Sequence, residues 1–345
     1  MTHSRHIRWS GVFSAALFLC SCSTTHPVNS DRGRDLVITE DIDRFWEAYD
    51  AVRAETDEHR QQELVSELYL DRGSPGLHAM NRARSYRSSE YLYAMQNYTQ
   101  YLDAVRANTL EASRYSRQIS DTLEKFRAIY PDARDVPVYF VIGAFRAGGT
   151  ANDGKLLIGA ELAMASSNTP THEFGEKLAH LPAYIQSGPI DNLIDLNVHE
   201  YVHTQQRSTG GVDLLSQALF EGVAEYLSTA AIGRPSRQPA IAYGKENRAA
   251  VLAAFERDIA MSDWGDWIWN DADNPFATRD LGYFVGYAIA RSYVEAAPNK
   301  SAAISRLIEL DYSSVCEVAD VVDTAAVFDE DVARMRPDTD YGTCG

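Results

Sequence analysis

The chain has 345 residues, 45% of them hydrophobic, and carries 49 Asp and Glu against 32 Lys and Arg, a net charge of −17. So acidic a surface repels polyanions, which argues against nucleic acid as a partner and offers no electrostatic attraction to anionic lipid heads. The length and apolar content are enough for one large domain, or two intimate ones, with a real core.

Residues 1–21 read as an export signal, with Arg5 and Arg8 ahead of an apolar run from Val12 to Leu19 and no acidic residue. Leu19-Cys20-Ser21-Cys22 fits a lipoprotein cleavage box with small Ser21 before a lipid-modified Cys22, whereas Cys20 would follow bulky Leu19. An ordinary signal peptide or a short membrane anchor are the alternatives. Eight apolar residues fall well short of the ~20 that cross a bilayer, which weighs against the anchor. Cleavage removes two arginines and takes the net charge from −17 to −19. It leaves Cys316 and Cys344 as an even pair in an oxidising compartment, and a C-terminal disulfide is the expectation, with two free thiols as the other possibility.

Residues 22–38 form a polar linker that lifts the domain off the membrane. From Thr39 to about Tyr130 the pattern is helical: Ile42, Phe45, Trp46 and Tyr49 recur at helical spacing, and Gly73-Ser-Pro-Gly76 breaks a second run that ends at Leu70. Tyr86, Tyr91, Tyr93, Tyr98 and Tyr101 read as core aromatics. Val136–Gly143 and Lys155–Gly159 read as two strands, with Ala147–Gly154 as a flexible connection. Glu161 follows the second strand, where an acid suits the first turn of a surface helix. His172-Glu173 lacks a second histidine, since Glu176 stands in its place, and His180 reads as structural or surface.

Asp195–Gln206 contains His199-Glu200-Tyr201-Val202-His203, an HExxH run. Two histidines four residues apart project from one helical face and can converge on a zinc ion, with Glu200 beside it as a general base for water. Gly210-Gly211 ends that segment, and Asp213 can cap a second helix with an apolar stripe of Leu214, Leu215, Ala218, Leu219, Val223, Tyr226 and Leu227. Glu221 and Glu225 border the stripe, where burial is costly unless cations or donors meet them; Glu221 is the expected third ligand. Gly222 suits a close approach of these two helices at the metal. Two imidazoles and one carboxylate with an open position favour zinc.

Further on, Ala249–Ala260 is a polar-faced helix, and Trp264, Trp267 and Trp269 crowd a loop that either walls a cleft or folds back on the core, the core being favoured. Asp280–Tyr293 is a helix with Tyr283 and Tyr287 one turn apart, and their hydroxyls can meet the active site as catalytic groups. Residues 313–345 form an acidic tail strapped on by Cys316 and Cys344.

HEYVH followed by Glu221-Gly-Val-Ala-Glu225-Tyr226 resembles the gluzincin metallopeptidases, with Phe220 where those proteins usually have Asn and a gap about one residue shorter than in their aminopeptidase branch. Over roughly residues 40–312 the chain is also similar to bacterial lipoproteins described as zinc-dependent proteases and related to the gliding-motility lipoprotein B family. The likeness includes Leu70–Leu77, Val138–Gly143 with Gly148-Gly-Thr150, Leu156–Glu161 and Gly282–Tyr287. The resemblance implies a His199, His203, Glu221 site with Glu225 orienting a ligand histidine. It also implies a small sheet before the HExxH helix whose edge strand pairs with an extended substrate. Gly159-Ala-Glu161 is faintly like the aminopeptidase signature whose glutamate binds the substrate's free amine.

These readings add up to an α+β fold, mainly helical and zincin-like, with the metallopeptidase domain over 39–312. The expected function is a lipid-anchored zinc metallopeptidase of the bacterial cell envelope, facing the periplasm, that acts on envelope peptides or proteins. The competing expectation is a noncatalytic envelope lipoprotein of the gliding-motility type, acting as an interaction module.

Overall fold

The computed structural model describes residues 36–259, 264–270 and 274–328. The signal segment, Cys22 and Cys344 lie outside the described residues.

The N-terminal half is helical because its apolar residues recur every three or four positions. Helix α1 (Glu40–Ala54) buries Ile42, Phe45, Trp46, Tyr49 and Val52 on one face. Helix α2 (Glu58–Val65) begins where Asp57 accepts the Arg60 N–H, and it runs into a single π turn, Ser66–Leu70. Helix α3 (Pro75–Arg84) has Ser74 as its cap and Pro75 in its first turn. The buried carboxylate of Asp41 accepts the Ser74 N–H at 2.9 Å and its hydroxyl proton, which fixes α1 to the start of α3. Helices α4 (Ser88–Asn97), α5 (Thr99–Leu110) and α6 (Ser116–Ile129) complete this half. Tyr91 and Tyr101 are fully buried among them, while Tyr93 is exposed.

Four strands form one sheet in the order β1-β2-β4-β3: β1 (Val37–Ile38), β2 (Val138–Val141), β3 (Gly149–Asn152) and β4 (Lys155–Gly159). β1, β2 and β4 run parallel, and β3 is antiparallel to β4. Two expectations are corrected here. Val37 and Ile38 belong to the sheet and not to a linker, because they pair with Val138 and Tyr139. The supposed flexible connection over 147–154 is largely strand β3. It turns back through Asp153 and Gly154, both at positive φ as a two-residue hairpin turn requires.

The C-terminal half contains α7 (Ala160–Ala163), α8 (Leu181–Gln186), α9 (Leu193–Gln205), α10 (Leu214–Ile232), α11 (Pro239–Glu246), α12 (Arg248–Asp258), α13 (Leu281–Ala296), α14 (Lys300–Ile308) and α15 (Val315–Ala325). Helix α10 is buried on nearly every side, with α9 and α6 packed against it and α13 lying along it. The expected tail over 313–345 is also corrected where it is described, up to residue 328. Val318, Val321 and Val322 of α15 are buried and pack on α13, because apolar residues at helical spacing need a partner. Cys316, in this helix, is disulfide-bonded. One continuous apolar core runs from Ile42 to Ala325, so the architecture is mainly helical α+β with a small sheet. No helix among the described residues is long and apolar enough to cross a membrane.

Candidate metal centre

Helices α9 and α10 bring the donor atoms together. The first turn of α10 is set by Asp213, whose carboxylate accepts the Ser216 N–H at 2.8 Å. Two turns on, Glu221 faces α9. His199 Nε2 lies 3.1 Å from His203 Nε2 and 3.3 Å from Glu221 Oε2, and His203 Nε2 lies 3.1 Å from the same oxygen. Ligands of one tetrahedral zinc with bonds of about 2.0–2.1 Å are spaced by about 3.3 Å, so this triangle fits such an ion. His199, His203 and Glu221 are the one group of metal-binding side chains of this kind among the described residues.

Each donor is oriented by a partner of its own. His199 Nδ1 is 3.2 Å from Glu225 Oε2, as the EGxAEY likeness implies. Glu221 Oε1 accepts from Gln217 Nε2 at 3.0 Å. His203 Nδ1 is 2.6 Å from Gln206 Oε1. The Gln206 amide nitrogen donates to Phe220 O at 3.0 Å and to the Tyr312 hydroxyl at 3.2 Å, so its oxygen must face the imidazole. His203 therefore carries its proton on Nδ1 and presents the Nε2 lone pair to the centre. Gln206 and Gln217 were missed from sequence, where only their i+3 and i−4 offsets from His203 and Glu221 could have hinted at them. Phe220, where the gluzincins usually have Asn, stacks on His203 with ring centres 4.4 Å apart.

The site's electrostatics are compatible with a cation. Burial disfavours charge on His199, but the Glu221 and Glu225 carboxylates outweigh it and raise this imidazole well above its usual range. Burial likewise opposes ionisation of Glu221 and Glu225, yet the facing histidines hold both carboxyls below the usual range. Two buried carboxylates among imidazole donors can be matched by a proton on His199 or by a positive ion held among them.

Glu200 sits next to this triangle in sequence and faces strand β3. A Cβ built on Gly149 would come within 2.8 Å of Glu200 Cγ and 3.1 Å of its Oε1, so only glycine lets the edge strand run this close. β3 is the last strand in the sheet order and pairs with β4 alone among the described residues, and Glu200 lies against the face of β3 at Gly149.

The tyrosines of α13 are separated by their one-turn spacing. Tyr283 stacks over His199, with ring centres 6.0 Å apart, and its hydroxyl accepts the Trp269 indole N–H at 3.3 Å. Tyr287 packs one turn further on, against Tyr226, with the Lys245 ammonium 4.9 Å from its ring. Gly222 does allow a close approach, but to another helix than expected. Its missing Cβ would overlap Gly286 C at 2.0 Å and Tyr287 N at 2.1 Å, so it brings α13, not α9, onto α10.

Glu161 is neither a surface residue nor open to a substrate amine. It is fully buried, and its carboxylate accepts the Gly143 N–H at 2.8 Å and the Phe145 N–H at 3.2 Å. Glu173 accepts the Gln100 and Tyr101 N–H groups in the first turn of α5. His172 and His180 are exposed. No family model matches this chain, and no similar curated protein or solved structure is found.

Proposed function

We propose that this chain is a zinc-dependent peptidase of gluzincin type, with a zincin-like arrangement of sheet and helices. The observation that carries the reading is the His199, His203 and Glu221 triangle at tetrahedral spacing, with Glu200 next to His199 in the chain and against Gly149 of the last strand in the sheet.

His199, His203 and Glu221 would hold zinc, which would supply Lewis-acid chemistry and make water more acidic at the site. The edge of β3 can pair with an extended peptide by strand addition, which lays a scissile carbonyl near Glu200. Glu200 takes the proton of the attacking water as its oxygen bonds to the carbonyl carbon. It then passes that proton to the amide nitrogen as the C–N bond breaks. The Tyr283 hydroxyl already accepts the Trp269 indole proton and so keeps its own to donate to the carbonyl oxygen as charge develops there. Glu225 and Gln206 hold the two imidazoles in place throughout.

Lipid attachment at Cys22 and a place on the periplasmic face of the envelope, the outer membrane above all, belong to the same proposal, with envelope peptides or proteins as substrates. The test is Glu200→Gln, which keeps the size of the side chain but cannot take up the proton. Purified wild type should hold near-stoichiometric zinc and the variant should match it, while peptide turnover should fall by roughly 10²–10⁴-fold. Equal behaviour of the two in every peptide assay would leave the centre as a structural clamp and favour the interaction module.

A further inference from the structure

Of the three indoles in the loop after α12, one serves the core. Trp267 is buried, packs against Phe255 and donates to Asp258. Trp269 does the opposite: it is 60% exposed, although a large apolar ring in water is unfavourable. Its backbone is held in the left-handed region at φ 57°, as are Ala277 at 46° and Asp280 at 61°, three non-glycine residues within twelve positions. Such strain persists only where surrounding contacts over-determine it. Here Asp280 Oδ1 accepts the Trp269 N–H at 2.6 Å, Asn270 Oδ1 accepts the Asp280 N–H at 2.9 Å, and Asn270 itself is buried and bonded to Asp266 O. The frame holds the indole outward in one orientation. Half-buried Trp264 lies beside it, with ring centres 6.0 Å apart at 52°.

That indole is continuous with the metal centre. Its N–H meets the Tyr283 hydroxyl at 3.3 Å, and the Tyr283 ring lies over His199. One edge of Trp269 is thus tied to the site while the residue stays largely exposed.

From this juxtaposition we infer that Trp269, with Trp264, is the specificity-determining surface of the proposed peptidase, receiving an aromatic side chain of the substrate peptide. The inference rests on the peptidase reading for the identity of the ligand. An aromatic ring suits the place because stacked or edge-on rings gain more than their buried area alone, and a rigid indole loses little entropy on binding.

The test uses two pools of short random-sequence peptides that differ only in that one contains Phe where the other has Ala. Wild type should prefer the Phe pool in kcat/KM, and Trp269→Ala should reduce that preference roughly 3- to 10-fold, mainly through KM. Trp269→Phe keeps an aromatic face but loses the N–H to Tyr283, so it should keep the preference while kcat falls for both pools. An unchanged Phe-to-Ala ratio in Trp269→Ala would overturn the inference. Calorimetric binding of both pools to zinc-loaded Glu200→Gln protein, with and without Trp269→Ala, separates the two claims. Trp269-dependent binding of the Phe pool by a protein whose wild type cleaves neither pool would sink the peptidase reading and keep the aromatic surface. Cleavage without any Trp269 dependence would do the reverse, and neither cleavage nor selective binding would remove both.

Discussion

At the scale of single residues, the roles of Glu221 and Glu225 separate by geometry. One Glu221 oxygen lies within 3.3 Å of both histidine Nε2 atoms, whereas Glu225 reaches His199 from behind, at Nδ1. Glu221→Ala should nearly abolish zinc binding, and Glu225→Ala should weaken it by about 10–100-fold in a chelator competition. The opposite ranking would exchange their roles. Away from the metal, burial raises the Glu161 carboxyl to about 7, against the pull of the backbone N–H groups of Gly143 and Phe145. An unfolded glutamate titrates near ~4.3, so between these values the native state holds a proton that the unfolded chain has released. The contribution of this group to stability is therefore fully present below pH ~4.3 and declines as pH rises through about 7, a loss of order 3 kcal/mol. Glu161→Gln cannot titrate, so its urea stability should lose that component of the slope between about pH 5 and 7.5. Parallel wild-type and variant profiles would show that Glu161 titrates alike in both states.

At the scale of elements, the site depends on how tightly α13 lies on α10. Gly222 and Gly286 face each other, and a Cβ on Gly286 would overlap Ala218 O at 1.8 Å. Backbone against backbone has no flexible end to move aside. Gly222→Ala should therefore destabilise by about 3 kcal/mol, the upper end for overpacking, although alanine favours an open helix by about 1 kcal/mol. A urea midpoint equal to or above wild type would contradict the close packing. The two halves of the fold meet at α9, which contacts β3, β4, α6 and α10, so Glu200 and two of the candidate metal donors stand where sheet and helices join.

At the scale of the whole molecule, the net acidic charge gives no overall attraction to anionic headgroups, and the proposed tether is acyl chains. Cys22→Ala should release the protein into soluble periplasmic extracts, while Cys20→Ala should leave it with the membrane fraction. The same outcome for both variants would displace the cleavage box. The buried face of α15 makes residues 315–325 part of the folded body, continuous with the core that begins at Ile42, and Cys316 in this helix is disulfide-bonded.

What the sequence determined by itself was local: helical periodicity over 39–130, the cap at Asp213, and the four-residue spacings that set His199 with His203 and Glu221 with Glu225 on common faces. Such features depend on a single element's period or on neighbours a turn apart. The Asn152-Asp-Gly-Lys155 turn was equally local, yet the glycines and small residues of 147–152 masked a strand that meets Glu200 at Gly149, where no side chain intervenes. The remainder was decided by tertiary structure. That Gln206 fixes the His203 tautomer follows from Phe220 and Tyr312, the latter more than a hundred residues away. That Tyr283 stacks on His199 while Tyr287 packs on Tyr226 depends on the register of α13 against α10. Gly222 fits either partner helix by sequence, and only the packing assigns it to α13. The physical reason is common to all three: side-chain chemistry and helical period are properties of a segment, but which faces meet is settled by the packing of the entire core.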